Sequence, residues 1–378
     1  MTLRPVRALF GVMLAALLGS APLATSAAAL SAAQAAKIDA IVNEAMAKQH
    51  LPGVEIGVGR NGTLLFSRGY GLRVRETQLA TTANTIFALG SITKSFTATS
   101  VMLLVDRGKV DLDAPVARYL PSVPHGREIT VRELLDQTSG LHDYLENPSL
   151  YKEILTSTLK PEPISFYVHL VAGKPLLFKP GSKWAYSNTN YAILGMLIER
   201  MSGQPYGAFF ASQIFVPQHL THIQVMSTFP PAGDDAAHGY TFEKSAYVPV
   251  AKQSMAWGNS AGSLASNVSD VIRFDGALFG GKIVTPASVR AMLTPPPNRP
   301  VITSKNANSN LAGGYGFGWV VGHDEARRVD WHNGGIIGGR AMNAVFPHDG
   351  LEIVVLTNVT TASPESIAMK IARVLYAP

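Results

Sequence analysis

The chain has 378 residues, of which 47% are apolar and 15% charged, so it can bury a large core with room for two lobes and is not a disordered polymer. It contains no cysteine, which excludes disulfides, thiol nucleophiles, cysteine-ligated metals and a lipid-modified N-terminal cysteine. Its formal charge of +6 is mild and dispersed and gives no footprint for nucleic acid.

Residues 1–29 have the layout of a secretory signal peptide: a basic start with Arg4 and Arg7, an apolar stretch over 8–19 and a small-residue cleavage region over 24–29. The apolar stretch is short for a bilayer, and the alternative reading is an uncleaved anchor. Cleavage would lower the charge from +6 to +4, because the segment holds two arginines and no acid. The expectation is a secreted or periplasmic protein with no integral membrane span after cleavage.

Residues 31–49 place Ile38, Ile41, Val42 and Met46 at helical spacing, as in an amphipathic covering helix. Two β-rich runs, 54–60 and 63–70, flank Asn61-Gly62, which is a two-residue hairpin signal. From Ser91 to Arg107 there is no proline or glycine, and Gly108 stands where a left-handed helix stop belongs. Ile92, Phe96, Val101, Met102, Leu103, Leu104 and Val105 surround that helix with apolar side chains, as in one buried on all sides.

Lys94 lies one turn beyond Ser91 on the same face, so its amine can reach the hydroxyl. Desolvation would pull a lysine below its usual pKa of ~10.4 and let it take the serine proton. Ser149/Lys152 and Ser157/Lys160 repeat the pattern beside Pro148 and Pro161, where no long buried helix can follow. The plain alternative for Ser91 is a helix N-cap.

Helical runs follow at 131–136, 191–201, 207–215, 268–278 and 286–293, and the proline-rich 294–300 marks a return to strands. Strands are expected at 315–322, 327–332, 340–346 and 351–358, closed by a helix over 365–375. One sheet lobe (30–90 and 301–378) therefore receives an inserted helical lobe (91–300), with Ser91 at the junction, where sites tend to lie.

Two further stretches carry chemistry. Tyr186 and Asn188 follow the Pro180-Gly181 turn on a polar loop before the helix near Tyr191, where a phenol can relay a proton and a carboxamide can hold an amide. His332 ends a strand and is followed by Gly334 and Gly335, which would let a substrate backbone approach. In His348-Asp349-Gly350, by contrast, Asp-Gly reads as a hairpin turn.

Ser91-Ile92-Thr93-Lys94, Tyr186-Ser187-Asn188 and His332-Asn333-Gly334 stand in the order of the Ser-x-x-Lys, Tyr-x-Asn and Lys-Thr-Gly or His-x-Gly motifs. Over about residues 36–375 the chain thereby resembles the serine β-lactamase and penicillin-binding protein superfamily, in its class C β-lactamase, D,D-carboxypeptidase and esterase branch. Residues 133–141 and 262–266 resemble further landmarks of that family. The resemblance implies an α+β fold, an α/β/α sandwich with an antiparallel sheet, flanking helices and a mostly helical lobe, forming one catalytic domain over 30–378.

It also implies that Ser91 is the acyl-forming nucleophile, Lys94 its proton partner and Tyr186 the relay to the leaving group, with the choice of base between Lys94 and Tyr186 open. Asn188 and His332 would bind substrate beside Gly334, and the backbone N–H groups of Ser91 and Gly335 would form the oxyanion hole. Neither a metal nor a cofactor is implied, and the partner is a small-molecule or peptide acyl substrate.

His332 stands where class C β-lactamases carry lysine, and Asn333 where threonine or serine is usual. Esters and D-amino-acid peptides are therefore expected ahead of β-lactams, unless Arg340 points into the cleft and restores the charge. The alternatives are a penicillin-binding sensor that acylates without turnover, a class C-like β-lactamase and a silent scaffold.

Overall fold

A computed structural model describes residues 29–297, 302–303, 311–325 and 327–377. The signal-peptide reading falls almost wholly outside them. Helix α1 (Ala32–Gln49) opens on a capping box between Ser31 and Gln34 and ends on His50 in the left-handed region. Strands β1 (Gly53–Arg60) and β2 (Thr63–Val74) form the expected hairpin, with Asn61 and Gly62 at φ 51° and 78°, the pair of positive values that a two-residue turn of this twist requires.

The remaining strands of the main sheet are β3 (Leu79–Ala80), β4 (Ile302–Thr303), β5 (Ala312–Tyr315), β6 (Val320–Asp324), β7 (Arg327–Ile336), β8 (Gly339–Phe346) and β9 (Leu351–Thr357). In space they run β4-β5-β6-β7-β8-β9-β1-β2-β3 and pair antiparallel throughout. Val54 of the first hairpin pairs with Thr357 of the last strand, so both ends of the described chain close one sheet.

The single strand expected over 315–322 is two strands. Gly318 takes φ 75° and the Gly316 N–H bonds the Trp319 carbonyl at 2.8 Å, making a turn between β5 and β6.

Helices α1 and α5 (Pro364–Tyr376) pack together on one face of the sheet, and α4 (Val268–Phe279) covers the other. With both faces covered, β1 is buried at every residue but Arg60 and loses the alternation of a half-exposed strand. Helix α2 (Thr93–Asp106) is buried without a break from Thr93 to Leu104. It packs against α3 (Asn188–Ser202) in the helical lobe, while Phe96 stacks on Phe274 of α4 with ring centres 3.7 Å apart. The α2 N-terminus is thus held at the seam between lobe and sheet.

Candidate active site

Ser91 does not open the α-helix but sits in a 3-10 turn, Gly90–Ile92, immediately before it. No side chain caps α2, and Thr93 Oγ1 instead donates to the Gly90 carbonyl at 2.7 Å and accepts the Leu264 N–H at 3.0 Å. The N-cap alternative for Ser91 therefore does not hold.

The turn has this shape because it lies against β7. A Cβ on Gly334 would stand 1.8 Å from the Leu89 oxygen, and one on Gly90, whose φ is 52°, 2.6 Å from the Gly335 nitrogen. Gly334 and Gly90 admit the chain's own turn and so bring the Ser91 and Gly335 backbones together.

Lys94, with 0% exposure, donates from Nζ to Ser91 Oγ at 3.1 Å, Asn188 Oδ1 at 2.8 Å and the Ala261 carbonyl at 2.8 Å. The rings of Tyr186 and Tyr191 lie 4.8 and 5.6 Å from that nitrogen. Burial pushes the amine down to about 7, against the opposing pull of the Asp143 charge. Burial and the neighbouring Tyr315 hold the Tyr186 phenol well above its usual range, a rise that the Ser91 hydroxyl partly offsets. At neutral pH the phenol keeps its proton while a large share of the amine is free. Of the two, Lys94 is the group able to accept a proton from Ser91.

Asn188 is the first residue of α3, and both ends of its carboxamide are engaged. The oxygen accepts from Lys94, and Nδ2 donates to Asp143 Oδ2 at 2.8 Å. Sequence reasoning missed Asp143, two residues beyond the 133–141 stretch, where no motif marks it.

His332 corrects an expectation. It is 3% exposed and does not face the cleft as a substrate ligand, because both ring nitrogens are occupied. Nδ1 lies 2.6 Å from the Asn333 carbonyl, which can only accept, so the proton sits on Nδ1, and Nε2 accepts from the Tyr315 hydroxyl at 3.0 Å. Burial first, and then the Lys94 charge, push the imidazole down to about 3, so it stays neutral.

A cavity of about 790 Å³ opens over the seam, lined by Ser91, Tyr186, Gly334, Gly335, Arg340 and Glu365 among others. Arg340 points into it. Cross-strand pairing sets Arg340 opposite Gly335, Nε donates to the Thr360 carbonyl at 2.8 Å, and Nη1 lies 2.2 Å from where a Gly335 Cβ would be. Asn333 Nδ2 donates to Glu365 Oε1 at 2.8 Å on the same wall. The other two Ser-x-x-Lys pairs are elsewhere, with Ser149 and Lys152 exposed on the helix Pro148–Leu155 and Lys160 exposed beyond it. Among the described residues no group of three or more acidic or histidine side chains could hold a metal ion, and no helix is long and apolar enough to cross a membrane.

A serine and a buried lysine at the head of a central helix, between a helical lobe and an antiparallel sheet, define the serine hydrolases of β-lactamase and penicillin-binding type. The chain belongs to the Beta-lactamase family, whose model matches residues 38–377. It is 25% identical over 337 residues to protein flp of Staphylococcus aureus, covering 86% of this chain and 63% of flp, so it spans less than two thirds of that relative's length. With a penicillin-binding protein of Bacillus subtilis it shares 27% identity over 335 residues, covering 83% of this chain and 70% of that one.

Among solved structures, the octameric penicillin-binding protein homologue from Pyrococcus abyssi superposes with a TM-score of 0.79 at 26% identity, over 90% of this chain and 77% of that one. A D-stereospecific amidohydrolase from a Streptomyces species does so with 0.76 at 27% identity, over 91% and 98%. EstCE1, a hydrolase with promiscuous acyltransferase activity, shares the fold with a TM-score of 0.75 at 21% identity, over 91% and 98%.

Proposed function

We propose that this chain is an exported serine hydrolase that cleaves ester or amide bonds through an acyl-enzyme on Ser91. D-amino-acid amides or peptides and small esters are its acyl donors. The observation that carries the reading is the amine of Lys94, sealed from water, 3.1 Å from Ser91 Oγ and pushed down to about 7. Export rests on the layout of residues 1–29 alone.

In the proposed reaction Lys94 Nζ takes the Ser91 proton as Oγ attacks the substrate carbonyl carbon, and the carbonyl oxygen takes the negative charge. The N–H groups of Ser91 and Gly335 receive that charge, since the glycine contacts bring those two backbones together. Collapse of the tetrahedral centre expels the alcohol or amine, which takes the Tyr186 proton, and Lys94 returns its proton to Tyr186. Water then repeats the sequence on the ester of Ser91 and releases the acid.

The substrate class has two supports. A neutral His332 supplies no charge for a donor carboxylate, but Arg340 lines the cavity and does, so a D-amino-acid peptide can be held there and the ranking expected ahead of β-lactams loses its ground. The similarity to a D-stereospecific amidohydrolase points to amide donors.

The test is a panel of p-nitrophenyl esters, D-amino-acid amides, a D-Ala-D-Ala peptide and nitrocefin, run on wild type and Ser91→Ala. Turnover of esters or amides, lost in the variant, is the expected result. Efficient nitrocefin turnover with poor esters would favour a β-lactamase, and a lasting adduct without turnover would favour a sensor.

A further inference from the structure

The segment that follows the 133–141 stretch is strapped to the start of α3. Ser187 Oγ and Thr189 Oγ1 donate to the His142 carbonyl at 3.1 and 2.8 Å, and the Tyr144 N–H donates to Thr189 Oγ1 at 3.1 Å. Within this strap, Asp143 Oδ2 accepts the Asn188 N–H at 3.1 Å and Asn188 Nδ2 at 2.8 Å, and Oδ1 accepts the Leu145 N–H at 3.0 Å. These three partners are donors and none is an acceptor, and together with the Lys94 charge they favour the ionised carboxylate against the rise that burial imposes on its pKa.

A carboxamide can face either way, and here the carboxylate decides. With Nδ2 on Asp143, the Asn188 oxygen is turned to Lys94 Nζ, 2.8 Å away. Flipped, the amide would set an NH2 group against the lysine's own donors and an oxygen against the carboxylate.

We propose that Asp143 is a positioning residue for the Ser91–Lys94 pair: its carboxylate locks the Asn188 carboxamide with the oxygen on Lys94 and supplies the negative charge that balances the ammonium during proton transfer. This rests on the reading of Lys94 as base given above. The groups around Lys94 are the Ser91 hydroxyl, the Asn188 carboxamide, the Ala261 carbonyl, the rings of Tyr186 and Tyr191, and, acting electrostatically, Asp143 and the neutral His332. Asp143 is the anion of that set, and it acts to raise the Lys94 pKa. Removing its charge therefore makes Lys94 a weaker proton holder, and the neutral amine persists to lower pH.

The experiment is the pH dependence of kcat/KM for a neutral p-nitrophenyl ester in wild type, Asp143→Asn, Asp143→Ala, Asn188→Ala and the double alanine variant, with thermal unfolding of each. Asp143→Asn loses the charge and keeps one acceptor oxygen, which can serve the two Asn188 donors while its NH2 group faces the Leu145 N–H. Its acid limb should move to lower pH by up to about one unit, the low end of what a nearby opposite charge does. Asp143→Ala should lower kcat by about tenfold or more, and the loss should be smaller in the Asn188→Ala background, where only the charge effect on Lys94 is left to lose.

An unmoved limb in folded Asp143→Asn, or losses that add in the double variant, would overturn the proposal while leaving Lys94 as base. Absence of any limb near neutrality in the wild type would instead overturn the base reading, and this proposal with it.

Discussion

What separates Lys94 from an ordinary surface lysine is the loss of water around it. A lysine lowered from 10.5 to about 7 is protonated, and idle as a base, below that value and neutral above it. The kcat/KM of the wild type should therefore rise with pH through about 7 to a plateau, which a stopped-flow pH series would check. Lys94→Ala and Tyr186→Phe should each lower kcat by ~10²-fold or more, and a Tyr186→Phe enzyme with wild-type kcat on every donor would remove that residue from the scheme.

Arg340 carries the second residue-scale expectation. Its guanidinium lines the cavity beside Gly335, so Arg340→Ala should weaken carboxylated donors such as nitrocefin or D-Ala-D-Ala peptides more than neutral esters. The differential should reach up to ~1–3 kcal/mol in kcat/KM, the scale of one charged hydrogen bond. Equal losses on both classes would contradict it. His332→Lys is the poorer probe, because it would strand the buried Tyr315 hydroxyl that His332 Nε2 accepts.

At the scale of elements, β7 and the turn before α2 meet backbone against backbone at Gly334 and Gly90. Gly334→Ala would drive a methyl into the Leu89 oxygen, so the turn or the strand must give way. We expect a destabilisation of ~1–3 kcal/mol, the usual cost of overpacking, together with a fall in kcat larger than the unfolded fraction explains. Unchanged stability and activity would mean that the two backbones are not held as described.

The elements differ in how far sequence revealed them. The Asn61-Gly62 hairpin and the 91–107 helix were legible because their signals are local: two residues suited to positive φ in one case, and an unbroken run without proline or glycine in the other. The 3-10 turn at Ser91 was not legible, since it is shaped by β7, far away in sequence. The run over 315–322 looked like one strand by its β-rich ends, but the glycines at 316 and 318 fold it back on itself.

For the whole molecule, the interface between α4 and the sheet buries three acids, Glu55, Asp275 and Glu352. Burial pushes Glu352 up to about 8, where its oxygens still accept the Gly62 N–H of the hairpin turn at 3.0 and 3.1 Å. A carboxyl raised in the fold favours the native state fully below its unfolded pKa near 4.5, and that contribution is lost as pH rises towards 8. Glu352→Gln keeps an acceptor for Gly62 and cannot titrate, so its stability relative to wild type should increase between pH 5 and about 8 in urea unfolding. A difference that stays constant with pH would contradict the assignment.

The same contrast between local and distant holds for the site. The positions of Ser91, Lys94, Tyr186 and Asn188 were legible because each pair lies within one short motif, although the Asn188 carboxamide, expected on a substrate, is engaged by Lys94 and Asp143. The roles of Asp143, His332 and Arg340 were not, because a strap onto α3, the Tyr315 hydroxyl and the pairing of Arg340 with Gly335 decide them. The central claim is that a neutral Lys94 activates Ser91 to carry an acyl group. Rapid-quench mass spectrometry with an activated ester, followed by peptide mapping across pH, tests it most directly. One acyl adduct is expected, on Ser91, whose rate of formation climbs through about pH 7 and which is absent in Ser91→Ala. An adduct on another residue, or acylation of Ser91 at a rate indifferent to pH, would contradict it.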